Sequence, residues 1–202
     1  GHTSDVRALT LLEGGKQLAS GSNDNTVRIW DLETGKELKK LEGHTNTVNA
    51  LTLLDGGKQL ASGSEDRTIR IWDLDTSPKL KKFQGHTEHV YALALLDGDK
   101  KLASGGRDTT IRLWDMESGK VLRKLEGHTS FVRALALLEG GKQLASGSGD
   151  RTIRIWDLES GKELKKLEGH TDTVHALTLL KGGKQLASGG RDTTIRLWDM
   201  ES

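Results

Sequence analysis

Leu18-Ala19-Ser20-Gly21-Ser22-Asn23-Asp24-Asn25-Thr26-Val27-Arg28-Ile29-Trp30-Asp31 decides the fold. Gln17–Gly21 reads as a short strand, Asn23-Asp24-Asn25 as a tight turn, and Thr26–Trp30 as a strand in which polar residues alternate with β-branched or aromatic ones. Upstream, Val6–Leu12 begins with alternation, ends apolar and is closed by Gly14-Gly15; downstream, Thr34-Gly35 turns into Glu37–Leu41. Each apolar stretch is short and bounded by Gly, so helix is the poorer reading. The same unit returns along the chain. Gly-His-Thr recurs with His at 2, 44, 86, 128 and 170, and Trp-Asp with Trp at 30, 72, 114, 156 and 198, a period of 42 residues with no insertion or deletion.

A four-stranded unit cannot cover both its faces alone. Units that lean face to face on their neighbours bury them, and this period with these two signatures indicates propeller blades. The expected fold is an all-β propeller of four-stranded antiparallel blades, with repeats 1–42, 43–84, 85–126, 127–168 and 169–202, the last without an outer strand. The fourth strands carry Lys39 and Lys40, Lys81 and Lys82, and Lys165 and Lys166. Charges there discourage pairing at an outer edge.

Gly-His-Thr, then Leu-Ala-Ser-Gly, then Asp three residues past that Gly, then Ile-Arg-Ile-Trp-Asp resembles the WD-repeat β-propeller family along the whole chain. The resemblance implies one hydrogen-bonded tetrad per blade: His2, Ser20, Asp24 and Trp30; His44, Ser62, Asp66 and Trp72; His86, Ser104, Asp108 and Trp114; His128, Ser146, Asp150 and Trp156; His170, Ser188, Asp192 and Trp198. Indole N–H to hydroxyl, hydroxyl to imidazole and imidazole to carboxylate would let buried polar groups satisfy one another. Ser, His and Asp also make up hydrolase triads. That chemistry needs an exposed nucleophile and an oxyanion site, normally built once rather than five times. No enzyme activity is expected. Nor is a metal site, since no second His lies at ligand spacing within a repeat, and no cofactor is expected.

The first and fourth repeats differ at only six of 42 positions, so the differences are informative. Four variable places hold Asp5, Thr47, His89, Phe131 and Thr173; Arg7, Asn49, Tyr91, Arg133 and His175; Asn23, Glu65, Arg107, Gly149 and Arg191; and Asn25, Arg67, Thr109, Arg151 and Thr193. The resemblance puts all four on one rim of the disc, the family's usual partner face. The candidate binding residues are Arg7, Arg67, His89, Tyr91, Arg107, Phe131, Arg133, Arg151, His175 and Arg191. Aromatic residues and Arg are interface-rich types. Six Arg against Asp5 and Glu65 leave these places four positive charges in surplus, which suits a partner with acidic groups. Exposed turns also drift freely, which is the competing explanation. Smaller departures are Ser77-Pro78 in place of a Gly-Lys turn, and Asp99 in place of a Gly.

Net charge is +1, from 30 basic and 29 acidic residues, which gives no argument for nucleic acid or membrane binding. Cysteine is absent, so there is no disulfide or thiolate site, and the composition is compatible with a reducing compartment; the cytoplasm is the expected location. Five blades alone would turn about 72° each, within the usual range of blade number. Five blades at a shallower angle would leave an open arc with two apolar faces, which a second copy could cover head to tail to give a homodimer of ten blades. Near-identity of the units points to design or recent amplification from one blade. The expected function is a non-catalytic scaffold that self-assembles into a ring; the alternative is an adaptor that binds a protein or peptide on the rim.

Overall fold

The computed structural model describes residues 1–75, 81–98, 100–180 and 182–200. The turn at Ser77-Pro78 and the substitution at Asp99 lie outside the described residues. The chain folds as five antiparallel sheets in series, each a meander in sequence order. The first contains β1 (Val6–Leu11), β2 (Gln17–Ser22), β3 (Val27–Asp31) and β4 (Glu37–Leu41). The second contains β5 (Val48–Leu54), β6 (Gln59–Ser64), β7 (Thr68–Asp73) and β8 (Lys81–Gln84). The third contains β9 (Val90–Leu96), β10 (Lys101–Gly106), β11 (Ile111–Asp115) and β12 (Val121–Leu125). The fourth contains β13 (Val132–Leu137), β14 (Gln143–Ser148), β15 (Thr152–Asp157) and β16 (Glu163–Glu168). The fifth has three strands among the described residues, β17 (Val174–Leu179), β18 (Gln185–Gly190) and β19 (Ile195–Asp199). Short 3₁₀ turns at Glu13–Gly15, Asp55–Gly57 and Glu139–Gly141 follow the first strands of blades one, two and four. β1, β5, β9, β13 and β17 are the inner strands, and all five line one central hollow.

Strand alternation gives each blade two apolar faces. The face toward the next blade carries Ala19, Val27, Ile29 and Leu41 in the first unit. These pack on Val48, Leu60 and Trp72 of the second. The pattern repeats with Ala103, Ile111, Leu113 and Leu125 against Val132, Leu144 and Trp156. The core is thus a series of joints between sheets, one joint per pair of blades. Full burial of each large apolar side chain contributes about 1.5–3 kcal/mol. One glycine per joint permits the close approach: a Cβ on Gly21, Gly63, Gly105 or Gly147 would lie 2.6–2.7 Å from a methyl of Val48, Val90, Val132 or Val174. In the second joint Phe83 replaces the outer-strand Leu and stacks on Trp114 at 5.7 Å between centroids.

Outer-strand cations also tie blades together. The Lys39 ammonium donates to the Leu74 carbonyl, Lys81 to the Met116 carbonyl at 3.3 Å, and the Arg123 guanidinium to the Ser160 and Glu159 carbonyls at 2.8 and 2.9 Å. Alternate cations face out and pair locally, Lys124 with Glu126 at 2.5 Å and Lys166 with Glu168 at 2.5 Å. Edge protection therefore explains only part of the pattern of outer-strand cations; Lys39, Lys81 and Arg123 clamp the first three joints.

The first blade's outward face and the last blade's outward face are uncovered. Val6 is 49% exposed, whereas Val48, Val90, Val132 and Val174, at the same place, are at 0%. Ile195 is 80% exposed, against 0% for Ile69, Ile111 and Ile153. Five blades form an open arc.

Candidate functional site

The strand pairing Leu18–Trp30 and Ser20–Arg28 aligns β2 and β3 so that Ser20 and Trp30 share one face. The turn between them projects Asp24, and the loop before β1 brings His2 over it. The structure brings the four side chains together in every blade. Trp Nε1–H donates to Ser Oγ at 2.7 Å in the first blade and 2.8 Å in the others. Ser Oγ lies 2.7 Å from His Nε2 in all five. His Nδ1 lies 2.7–2.9 Å from a carboxylate oxygen of Asp24, Asp66, Asp108, Asp150 or Asp192. The direction of the relay follows from chemistry. Indole can only donate and carboxylate only accept, so Ser Oγ–H points to Nε2 and Nδ1–H points to Asp.

A fifth member joins each set. Thr26 Oγ1–H donates to Asp24 Oδ1 at 2.7 Å, and Thr68, Thr110, Thr152 and Thr194 do the same at 2.6–2.8 Å. Backbone N–H groups of Thr3 and Thr26 add two more bonds to Asp24, each at 3.0 Å. Burial raises the pKa of each of these carboxyls. The bonds from Thr, His and the backbone outweigh it and hold all five well below the ordinary carboxylate range. His44 is held below its ordinary value by burial, against the pull of Asp66. The buried pair is thus neutral imidazole and carboxylate.

The rim residues behave differently from one another. His89, Tyr91, Phe131 and Arg133 come together across the third and fourth blades. Tyr91 meets Phe131 edge-on at 6.0 Å and His89 edge-on at 5.9 Å between centroids. The Arg133 guanidinium carbon sits 4.8 Å from the centre of the Tyr91 ring, a cation–π geometry. Glu65 of the second blade lies 3.8 Å from His89. Burial pushes the Tyr91 hydroxyl up, against the charge of Arg107. His175 is held low by partial desolvation, then by Arg133 and Arg191. Arg191 itself lies 3.9 Å from Asp172. Arg7 is occupied within its own blade, by Asn23 at 2.9 Å and Asp5 at 3.2 Å. Arg67 and Arg151 stand exposed in the turns between second and third strands. They stand at φ 70° and 72°, and Asn25, Thr109 and Thr193 occupy the same left-handed conformation at 68°, 66° and 64°.

A profile described as WD domain, G-beta repeat matches residues 1–31 and 35–73, and one described as a WDR41 β-propeller matches residues 79–202. The chain belongs to the WD-repeat β-propeller family. Single WD-repeat blades of it are similar to parts of much longer curated proteins. The ribosome biogenesis protein BOP1 homolog of Oryza sativa subsp. japonica is 44% identical over 39 residues, 19% of this chain and 6% of that protein. The BOP1 homolog of Caenorhabditis elegans is 51% identical over 43 residues, 21% and 6%. The ribosome biogenesis protein ERB1 of Debaryomyces hansenii is 45% identical over 40 residues, 20% and 5%. The chain therefore spans 5–6% of the length of these relatives.

Within this WD-repeat frame, Ser62, Ser104 and Ser146 are at 0% exposure and Ser20 and Ser188 at 2%. Each hydroxyl donates to imidazole as a triad serine would, but it is buried beneath the indole that it accepts from and has no access to a substrate. Among the described residues, no group of three or more His, Cys, Asp or Glu is placed to hold a metal ion, and no helix is long and apolar enough to cross a membrane. Two features escaped the sequence reading. The Thr that completes each relay stands two residues after its Asp in all five units, a spacing that was visible. The third-strand Arg lies beside the relay: Arg28 donates to Glu37 at 2.5 Å, Arg154 pairs with Glu163, and Arg112 Nη2 is 3.8 Å from Asp108.

Proposed function

We propose that the chain is a non-catalytic propeller scaffold, designed or recently amplified from one blade, that completes its ring by self-association. The observation that carries this is the pair of uncovered blade faces, at which Val6, Ile195 and Leu197 are exposed while their counterparts in the inner joints are buried. Contiguous apolar sheet faces of this kind mark association surfaces. Ser hydroxyls locked in buried relays support the absence of catalysis, and a composition without cysteine suits the cytoplasm. Light scattering tests the reading: a mass above that of one chain at micromolar concentration is expected, and a single-chain mass overturns it.

A second reading, an adaptor that binds a protein or peptide on the rim, is favoured by the packing of His89, Tyr91, Phe131 and Arg133. One-blade likeness to ribosome biogenesis proteins supports a place in protein assemblies. An acidic peptide fits the Arg133, Arg107 and Arg191 charges around the aromatic rings. A peptide array with Tyr91→Ala and Phe131→Ala checks it; unchanged capture removes it.

A further inference from the structure

We infer that a second copy of the chain docks head to tail on the open arc in the register of the inner joints, with Val6 of one copy seated on Gly189 of the other, and that two such contacts close one ring. This rests on the self-association reading and names its partner, register and number. Each inner joint is built on a Val from one blade lodged against a Gly of the blade before it. A Cβ on Gly105 would lie 2.7 Å from Val132 Cγ1, and one on Gly147 would lie 2.7 Å from Val174 Cγ1. Gly189 occupies the same place in the fifth blade, and the nearest atom to its missing Cβ is Ala176 Cβ at 3.8 Å, in its own sheet. The fifth blade thus repeats the glycine socket of the inner joints. Its knob also exists: Val6, 49% exposed, stands where Val132 and Val174 stand at 0%.

The surrounding side chains agree. Ile195 and Leu197 beside the socket repeat Ile111 and Leu113 of the third blade. Val6, Leu18 and Trp30 repeat Val132, Leu144 and Trp156 of the fourth. The third-to-fourth joint, already formed inside the molecule, is therefore a template for fifth-to-first contact between copies, with the same apolar types on both sides. This contact is heterologous, so it forms either a closed ring or an open filament. All five inner strands face one hollow, so the blades turn about a common axis. Two copies joined at both ends place ten blades about that axis. A two-fold ring of ten blades turns about 36° at each joint.

The chain has no cysteine, so Val6→Cys with Gly189→Cys in one chain gives a clean test. Both positions are open in the single chain, so folding is not threatened. Val Cβ lies 3.1 Å from the Cβ position of Gly105 or Gly147, close to the roughly 3.5–4.5 Å of a disulfide. Under mild oxidation the double variant should run as a covalent dimer on a non-reducing gel, with two disulfides per dimer by intact mass. A ladder of multimers would mean an open filament and overturn closure. An internally bridged monomer would mean a five-bladed ring and overturn the second copy. A stable dimer by light scattering that never cross-links would overturn the register while leaving self-association standing. A monomer without cross-links would overturn both.

Discussion

Changing Ser104 to Ala removes one oxygen from the centre of the third relay. Ser104 is at 0% exposure and Trp114 at 1%. The hydroxyl accepts Trp114 Nε1–H at 2.8 Å and contacts His86 Nε2 at 2.7 Å. Its loss leaves a donor and an acceptor without partners in a site that water does not reach. Each orphaned buried group costs about 1–3 kcal/mol, and the missing oxygen leaves little volume to collapse, so the expected loss is about 3 kcal/mol. Trp114→Phe alone strands only Ser104 as acceptor. Added to Ser104→Ala, however, it removes an orphan, so the double variant should be less destabilised than the sum by about 1 kcal/mol. Urea unfolding followed by far-ultraviolet circular dichroism gives these values, with the slope checked for constancy. Because repeat arrays can lose cooperativity, hydrogen exchange on β10 and β11 reports the same loss locally. A cost below about 1 kcal/mol, or strict additivity in the double variant, would refute the directional relay.

Three further outcomes are expected. Thr109→Asn should raise stability by about 0.5–1 kcal/mol in urea melts, because a β-branched residue is strained at φ 66° and Asn is not; a loss would mean that the Thr side chain contributes more than its strain. Ile111→Ala, at 0% exposure, should cost about 2–5 kcal/mol, whereas Ile195→Ala, at 80%, should leave the stability of the single chain within about 0.5 kcal/mol at high dilution. Stability should be flat between about pH 7 and 9 and begin to fall as pH drops through about 6.5, because the unfolded chain takes up the proton that buried His44 resists. It should fall more steeply below about 4, since the five relay carboxyls, held low when folded, are protonated first in the unfolded chain. A urea midpoint that stays constant from pH 8 to 3 would contradict both.

Most of the fold was legible because it is local. Strand, turn and strand in Gln17–Asp31 follow from alternation and Gly punctuation, and the period of 42 residues supplies the rest. Strand ends shift by a residue: β3 begins at Val27, whereas β7 and β15 begin at Thr68 and Thr152, because only there does the outer strand run on to pair with the Thr, through Gln84 and Glu168. The clamps of Lys39 and Lys81 were not legible, since a cation on an outer strand reads the same whether it meets water or a carbonyl of the next blade. Left-handed φ at Arg67 and Thr109 was not legible either, for neither residue type favours it.

The rim shows why a repeat can be read so well and its binding surface so poorly. Buried positions answer to the joint, and every joint is alike, so Ala, Ile, Val and Trp recur. Rim positions lie outside the joints and are free to differ from unit to unit. Whether two of them touch depends on how neighbouring blades stand, which lies between units rather than in any one of them. Tyr91 belongs to the third unit, Phe131 and Arg133 to the fourth, and Glu65 to the second; their cluster exists only because inner strands of adjacent blades run side by side. Arg7 holds the same place in its unit as Arg133 does in the fourth. Yet Arg7 is tied to Asp5 and Asn23 of its own blade, while Phe131 and Gly149 stand at those two places in the fourth unit and leave Arg133 to the Tyr91 ring. One residue type at one repeat position thus has two roles, and the neighbours that differ, not the Arg, decide which.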